Sequence, residues 1–187
     1  MKKELDEQLV KKYPKIFVNR RGDMRETAMC WGFECLDGWY DIIDNLCRVI
    51  QNHVDNKQRN YHFNVDFNKM IDSVNAGDTE MFNARYAGYK EEYKQKILED
   101  IRSGKFAKVS TEDGEFPHIV VQQIKEKYGT LRFYTNYTDD YINGAVSMAE
   151  CISSVTCEEC GKPGKLYTSG WWRVACQDHK PDDDLDD

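Results

Sequence analysis

The chain has 187 residues, 40% of them apolar and 12% aromatic, enough for one domain or one and a half around a buried core. Its formal charge of −7 is concentrated at the end, where Asp182, Asp183, Asp184, Asp186 and Asp187 supply five negative charges and leave residues 1–181 with 26 basic against 28 acidic side chains. Such a body is not an obvious polyanion binder, nor does it look like a nucleic-acid mimic, whose acids would be spread over a face.

The first residues contain no apolar run of the signal-peptide kind and no later stretch approaches a membrane span, so a cytosolic protein without membrane contact is expected. Seven cysteines in a reducing compartment then argue for thiols and metal over a disulfide framework. Residues 2–13 predict a short helix with Leu5, Leu9 and Val10 on one side, halted before Pro14 because proline pushes the preceding residue out of helical geometry. The segment to Arg25 is basic, with Lys2, Lys3, Lys11, Lys12, Lys15, Arg20, Arg21 and Arg25 against four acids. A nucleic-acid or acidic-partner contact is one reading; a solvated helix and loop is the favoured one.

Next comes Cys30-Trp31-Gly32-Phe33-Glu34-Cys35-Leu36-Asp37-Gly38-Trp39-Tyr40, dense in aromatics and turn residues. It feeds a helix over about 39–53, where Ile42/Ile43, Leu46/Cys47, Val49/Ile50 and His53/Val54 show the spacing of a buried face. Cys30, Cys35, Cys47 and His53 invite a second metal site. Their first spacing is loose, however, and Cys47 and His53 fall at different helical angles, so core thiols and an ordinary histidine are the preferred assignment. Residues 56–77 turn polar and Asn-rich without a sustained period and read as a loop or insertion. Asp78 can then cap a long helix to about Ser103, closed by Gly104, with a stripe of Phe82, Tyr86, Tyr89, Tyr93, Ile97 and Ile101 that is assigned to packing over partner contact.

Residues 106–109 predict a short strand, followed by an Asp113-Gly114 turn. Residues 118–127 and 130–137, joined at Tyr128-Gly129, predict an antiparallel hairpin. Leu131, Phe133, Thr135 and Tyr137 point to one side; Arg132, Tyr134 and Asn136 point to the other and could form a polar binding face. Thr138 is expected to cap a helix to about Ser154, with Ile142, Ala145, Val146, Ala149 and Ile152 on its buried face.

The C-terminal segment carries the strongest chemical signal. Cys157 and Cys160 are separated by two residues, as are Cys176 and His179, and fifteen residues between the pairs suffice for a hairpin that brings the second pair back to the first. Three thiolates and one imidazole make a closed tetrahedral set for one structural Zn2+, with no position left for a water. Cys151 is the alternative fourth ligand, behind His179. Trp171 and Trp172 are expected on the return strand, one of them covering the site, with Arg173 beside them.

These readings combine into an α+β fold: several helices packed on a small antiparallel hairpin or sheet, with an integral C-terminal zinc ribbon. Residues 1–155 form the α+β domain, with 56–77 as loop or insertion; 156–180 form the ribbon docked on it; 181–187 form a disordered acidic tail.

The segments Met29-Cys30-Trp31-Gly32-Phe33-Glu34-Cys35 with Asp37-Gly38-Trp39, Gln123-Ile124-Lys125-Glu126-Lys127-Tyr128-Gly129-Thr130-Leu131-Arg132-Phe133-Tyr134, and the terminal Cys/Gly/Trp/Cys pattern together resemble a group of tailed-bacteriophage and prophage proteins with a C-terminal zinc ribbon. The resemblance covers both ends of the chain and leaves roughly 56–115 uncovered. It implies a small accessory protein made in the cytoplasm of an infected bacterium, and no particular reaction.

Phosphate-binding Gly-rich loops, nucleophile elbows and His-Glu-x-x-His helices are missing, and His62 and His118 are isolated. The leading expectation is therefore a non-enzymatic binding protein for a host or phage protein, countering a defence system or adjusting a host machine. Arg132, Tyr134, Asn136, Trp171, Trp172 and Arg173 are its candidate contact residues. A nucleic-acid-binding ribbon is the alternative, and a small-nucleotide binder or enzyme near Cys30, Cys35 and Arg132 the second alternative.

Overall fold

The computed structural model describes residues 1–181; the disordered acidic tail expected over 181–187 lies, from Asp182 on, outside the described residues. The fold is mixed α+β, and the chain divides into two units, one made of Met1–Val54 with the chain from Pro117 onward, the other of Asp55–Phe116. No helix among the described residues is long and apolar enough to cross a membrane.

In the first unit, α1 (Lys3–Lys12) ends at Tyr13, whose N–H closes on the Leu9 carbonyl at 2.9 Å. The expected stop before Pro14 is thus where the helix ends. A three-stranded sheet follows in the order β1-β2-β3, with β1 (Phe33–Glu34) parallel to β2 (Val121–Lys127) and β2 antiparallel to β3 (Thr130–Thr135). Hairpin formation between β2 and β3 matches the sequence pattern; the parallel β1 does not announce itself, because a two-residue strand has no period to read. In register, Phe33, Ile124 and Phe133 form one row across all three strands. That row is buried with Leu131, Trp39, Ile43 and Ile50, and Phe17 meets Phe33 edge-on at 5.1 Å. Buried aromatic and branched aliphatic side chains of this kind carry most of the folding free energy.

Helix α5 (Asp140–Ser153) seals the free edge of β3. The Leu131 N–H donates to the Ser153 hydroxyl at 2.9 Å, and the Phe133 N–H to the Glu150 carboxylate at 3.3 Å, so two groups that would template aggregation are satisfied. This overturns two expectations. Asp139, not Thr138, caps α5, its carboxylate accepting from the Ile142 N–H at 2.9 Å. Ile152 is exposed while Ser153 is fully buried, because the helix presents a hydrogen-bonding residue to a strand edge there.

Helix α2 (Tyr40–Asn75) runs on through residues assigned above to a loop. The physical reason lies in Phe67, Met70, Ile71 and Val74, which keep helical spacing within the Asn-rich stretch and enter the core of the second unit with Phe82, Leu98 and Ile101. The single helix expected over 78–103 is instead two, α3 (Glu80–Arg85) and α4 (Glu91–Arg102), with Gly88 in the break. A straight helix of that length would extend about 39 Å, against about 11 Å for the apolar stretch of α2 it packs on. The break lets Phe82 and Ile101 reach the same core and leaves Tyr89 and Tyr93 exposed. Residues 106–109 form no strand; the Val109 backbone is held by the Asn68 amide at 2.7 and 3.0 Å.

Candidate metal centre

The C-terminal module begins where α5 ends. Cys157 to Cys160 form a tight turn closed by the Gly161 N–H on the Cys157 carbonyl at 2.9 Å, with Gly161 in the left-handed region at φ 76°. Strands β4 (Lys165–Tyr167) and β5 (Arg173–Ala175) pair antiparallel, and a turn of 3-10 helix carries Cys176 and His179. The result gathers Cys157, Cys160, Cys176 and His179 with all four ligand atoms within 4.8 Å of one another.

The individual separations are diagnostic. Cys160 Sγ and Cys176 Sγ are 3.6 Å apart, far beyond a disulfide; His179 Nδ1 lies 3.3 Å from Cys176 Sγ and 3.5 Å from Cys157 Sγ. Tetrahedral coordination with metal–sulfur bonds of about 2.3 Å and metal–nitrogen bonds of about 2.0–2.1 Å requires edges of about 3.8 and 3.6 Å. Burial pushes the Cys157 thiol up, but N–H groups of Cys176, Cys160 and Glu159 and the His179 imidazole outweigh it and bring it down to about 7, which favours the thiolate a metal needs. His179 turns its other nitrogen toward Glu159, 3.8 Å away, the place from which a carboxylate orients a metal-bound imidazole.

The segment from Cys35 to Trp39, which the sequence offered as a core thiol and the entry to a core helix, grips this turn. Gly38 N–H donates to the Glu158 carbonyl at 2.7 Å, Leu36 N–H to the Glu158 carboxylate at 3.0 Å, and the Trp39 indole to the Thr156 carbonyl at 3.0 Å. A Cβ on Gly38 would collide with the Cys157 carbonyl and stand 2.5 Å from Gly161 N and 2.7 Å from Cys160 N. Glu158 is buried here, and that burial raises its pKa. The one available signal was the Asp-Gly-Trp run itself, which spells a turn and an anchor without naming what they hold.

Cys151 is exposed on α5 and does not join the ligand cluster. The four residues weighed for a second ion have other surroundings. Cys35 and Cys47 are buried thiols, Cys35 pushed up to about 12 and Cys47 well above its ordinary value by burial, while His53 Nε2 lies 2.7 Å from Asp139 Oδ2 and its ring stacks on Tyr141 at 4.3 Å. Cys30 is half-buried, its carbonyl accepting from Arg20 at 3.1 Å.

The candidate contact residues separate. Arg132 is turned along its own strand, donating to Thr130 Oγ1 and the Leu131 carbonyl at 2.7 Å each, with Glu150 at 3.7 Å. Asn136 is occupied by backbone, accepting from the Val120 N–H at 2.7 Å and donating to the His118 carbonyl at 3.2 Å. Tyr134 is exposed, and Arg173 is half-buried on β5. Trp171 and Trp172 lie in the β4–β5 loop and not on the return strand; Trp172 meets Tyr128 of the β2–β3 turn edge-on at 5.9 Å, and the Cys35–Trp39 segment packs where a tryptophan was expected. Missed by the sequence reading are Lys125, Lys127 and Tyr128, which line one cleft with the two tryptophans.

Comparison with protein families, curated proteins and solved structures finds no match to this chain.

Proposed function

We propose that Cys157, Cys160, Cys176 and His179 hold one structural Zn2+, making the C-terminal module a zinc ribbon, and that the protein is a non-enzymatic accessory protein that binds a protein partner. The closed ligand set supports the structural role, since four protein ligands leave no coordination position for a reacting water.

The observation that carries the binding reading is an open apolar groove of about 760 Å3 between α2 and α5. Ile42, Val49, Tyr141, Ala145, Met148 and Ile152 face it, and Met148 is 66% exposed. Apolar residues repeat at helical spacing on both walls, and its lining charges, Asp41 and Asp140, are acidic. The fitting occupant is an amphipathic helix of a partner protein with basic flanks. In this reading the partner is a host or phage protein in an infected bacterium's cytoplasm, where the protein would counter a defence or adjust a host machine; the resemblance to phage proteins supports it.

Affinity capture from phage-infected lysate, treated with nuclease, tests this with Met148→Asp and Ile152→Asp variants alongside the parent protein. A stoichiometric protein captured by the parent and lost by both variants is expected. Equal recovery on parent and variants, or none on either, overturns the groove as the contact surface.

A further inference from the structure

The β2–β3 turn holds an aromatic residue where backbone chemistry disfavours one. Tyr128 sits at φ 54° and Gly129 at φ 77°, and Tyr128 is the one described residue other than glycine with positive φ. A two-residue hairpin turn of this hand suits Asn-Gly, whereas a bulky side chain there carries backbone strain. The ring gains no burial in exchange, being 65% exposed. Gly129 in turn seats the hairpin on the C-terminal module, since a Cβ there would collide with Leu166 Cδ1 and meet Arg173 backbone at 3.5 Å. Tyr128 is thereby held against Trp172, and Trp171 stands beside it at 79% exposure.

Cations accompany these rings. Lys127 Nζ lies 5.4 Å from the Tyr128 ring centroid and Lys125 Nζ 5.8 Å from that of Tyr134. Neither lysine has a carboxylate partner among the described residues. Glu126, between them in sequence, also lines the cleft, and its carboxylate is engaged by the turn, accepting the Gly129 N–H at 2.5 Å; Glu34, opposite Lys125 in register, accepts from Gln123 at 3.0 Å. In the basic N-terminal segment Lys2, Lys12 and Arg20 are each paired with an aspartate, at 3.0, 2.7 and 2.6 Å, while Lys11, Lys15, Arg21 and Arg25 have no carboxylate partner among the described residues.

We infer that this cleft of about 590 Å3, lined by Lys125, Glu126, Lys127, Tyr128, Gly170, Trp171 and Trp172, binds single-stranded nucleic acid. Exposed rings offer stacking surfaces to unpaired bases, and the unpaired ammonium groups match the phosphates between them. Base faces inside a duplex are already stacked, so the rings would find nothing to bind there. The inference is independent of the α2–α5 groove, and Met148→Asp should leave it intact.

The test is fluorescence anisotropy of the full, zinc-loaded chain with a labelled thymidine oligonucleotide of about 20 nucleotides and with its RNA counterpart, at about 50 and 200 mM salt. Saturable binding that weakens with salt and quenches tryptophan fluorescence is expected. Trp171→Ala and Tyr128→Asn should each weaken it about 5-fold or more, and Lys127→Gln should flatten the salt dependence. Asn suits the left-handed turn, so Tyr128→Asn should keep metal content and raise the melting temperature while binding falls, which separates a lost contact from a misfolded one. Absence of binding to both strands at low salt, equal affinity for a duplex, undiminished binding by the variants, or equal displacement by a polyglutamate peptide would each overturn the inference.

Discussion

Gly38 adopts no conformation that demands glycine, yet a side chain there meets backbone atoms of Cys157, Cys160 and Gly161 and no flexible tip that could move aside. Gly38→Ala is therefore expected to destabilise the fold by about 1–3 kcal/mol through overpacking, read as a lower melting temperature together with faster metal release to a chelator. Cys157→Ser or Cys176→Ser removes one of the four proposed ligands outright. Because metal binding is folding free energy in such a module, each should cost about 4 kcal/mol or more and abolish stoichiometric zinc; full zinc content and an unchanged melt in either variant would overturn the ligand assignment. Ser153 carries a comparable demand, since its hydroxyl is the partner of the Leu131 N–H inside the protein. Ser153→Ala strands that donor and should cost about 1–3 kcal/mol in chemical denaturation.

Among the elements, the start of α3 carries a dependence on pH. The Asp78 carboxylate accepts from the Glu80 N–H at 2.9 Å and from the Ser73 hydroxyl at 2.9 Å, and these bonds, the backbone one foremost, hold its pKa below the ordinary 3.8. A depressed folded pKa means that its contribution is fully present above 3.8 and disappears as pH falls through the lower folded value. Thermal melts of parent and Asp78→Ala should therefore differ at pH 7 and converge in strong acid, and a difference that grows on acidification would reverse the assignment. The same scale explains why the helix over 56–75 escaped the sequence reading. Phe67, Met70, Ile71 and Val74 share that stretch with Tyr61, Phe63 and Val65, which lie outside the cluster, and with many Asn, Asp, Lys and Arg, so the mixed pattern hid a narrow stripe that α3 and α4 cover.

For the first unit as a whole, the cluster of three cysteines and one histidine is tied to residues more than a hundred positions earlier in the chain. Gly38 and Trp39 bond to Glu158 and Thr156, and Phe33 pairs with Ile124 of the sheet that α5 edges. Removing the proposed zinc ion should consequently speed amide hydrogen exchange over 157–179 and over 35–39 together. Release confined to 157–179 would show that the Cys35–Trp39 grip survives without the ion.

The sequence by itself determined what depends on neighbours in the chain: the stop before Pro14, the hairpin over 121–135, the helix that follows it, and the clustering of Cys157, Cys160, Cys176 and His179. Each of these is written in a spacing of two, three or four residues, or in a turn dipeptide, over distances where a local rule holds. Tertiary structure alone decided the rest. The seat of Gly38 under the metal turn, the parallel pairing of Phe33–Glu34, the Ser153 bond that seals β3, and the meeting of Tyr128 with Trp172 join positions far apart in sequence. Such contacts follow from which surfaces the folded core brings together, and a glycine, a serine or an exposed tyrosine has no periodicity to declare its partner.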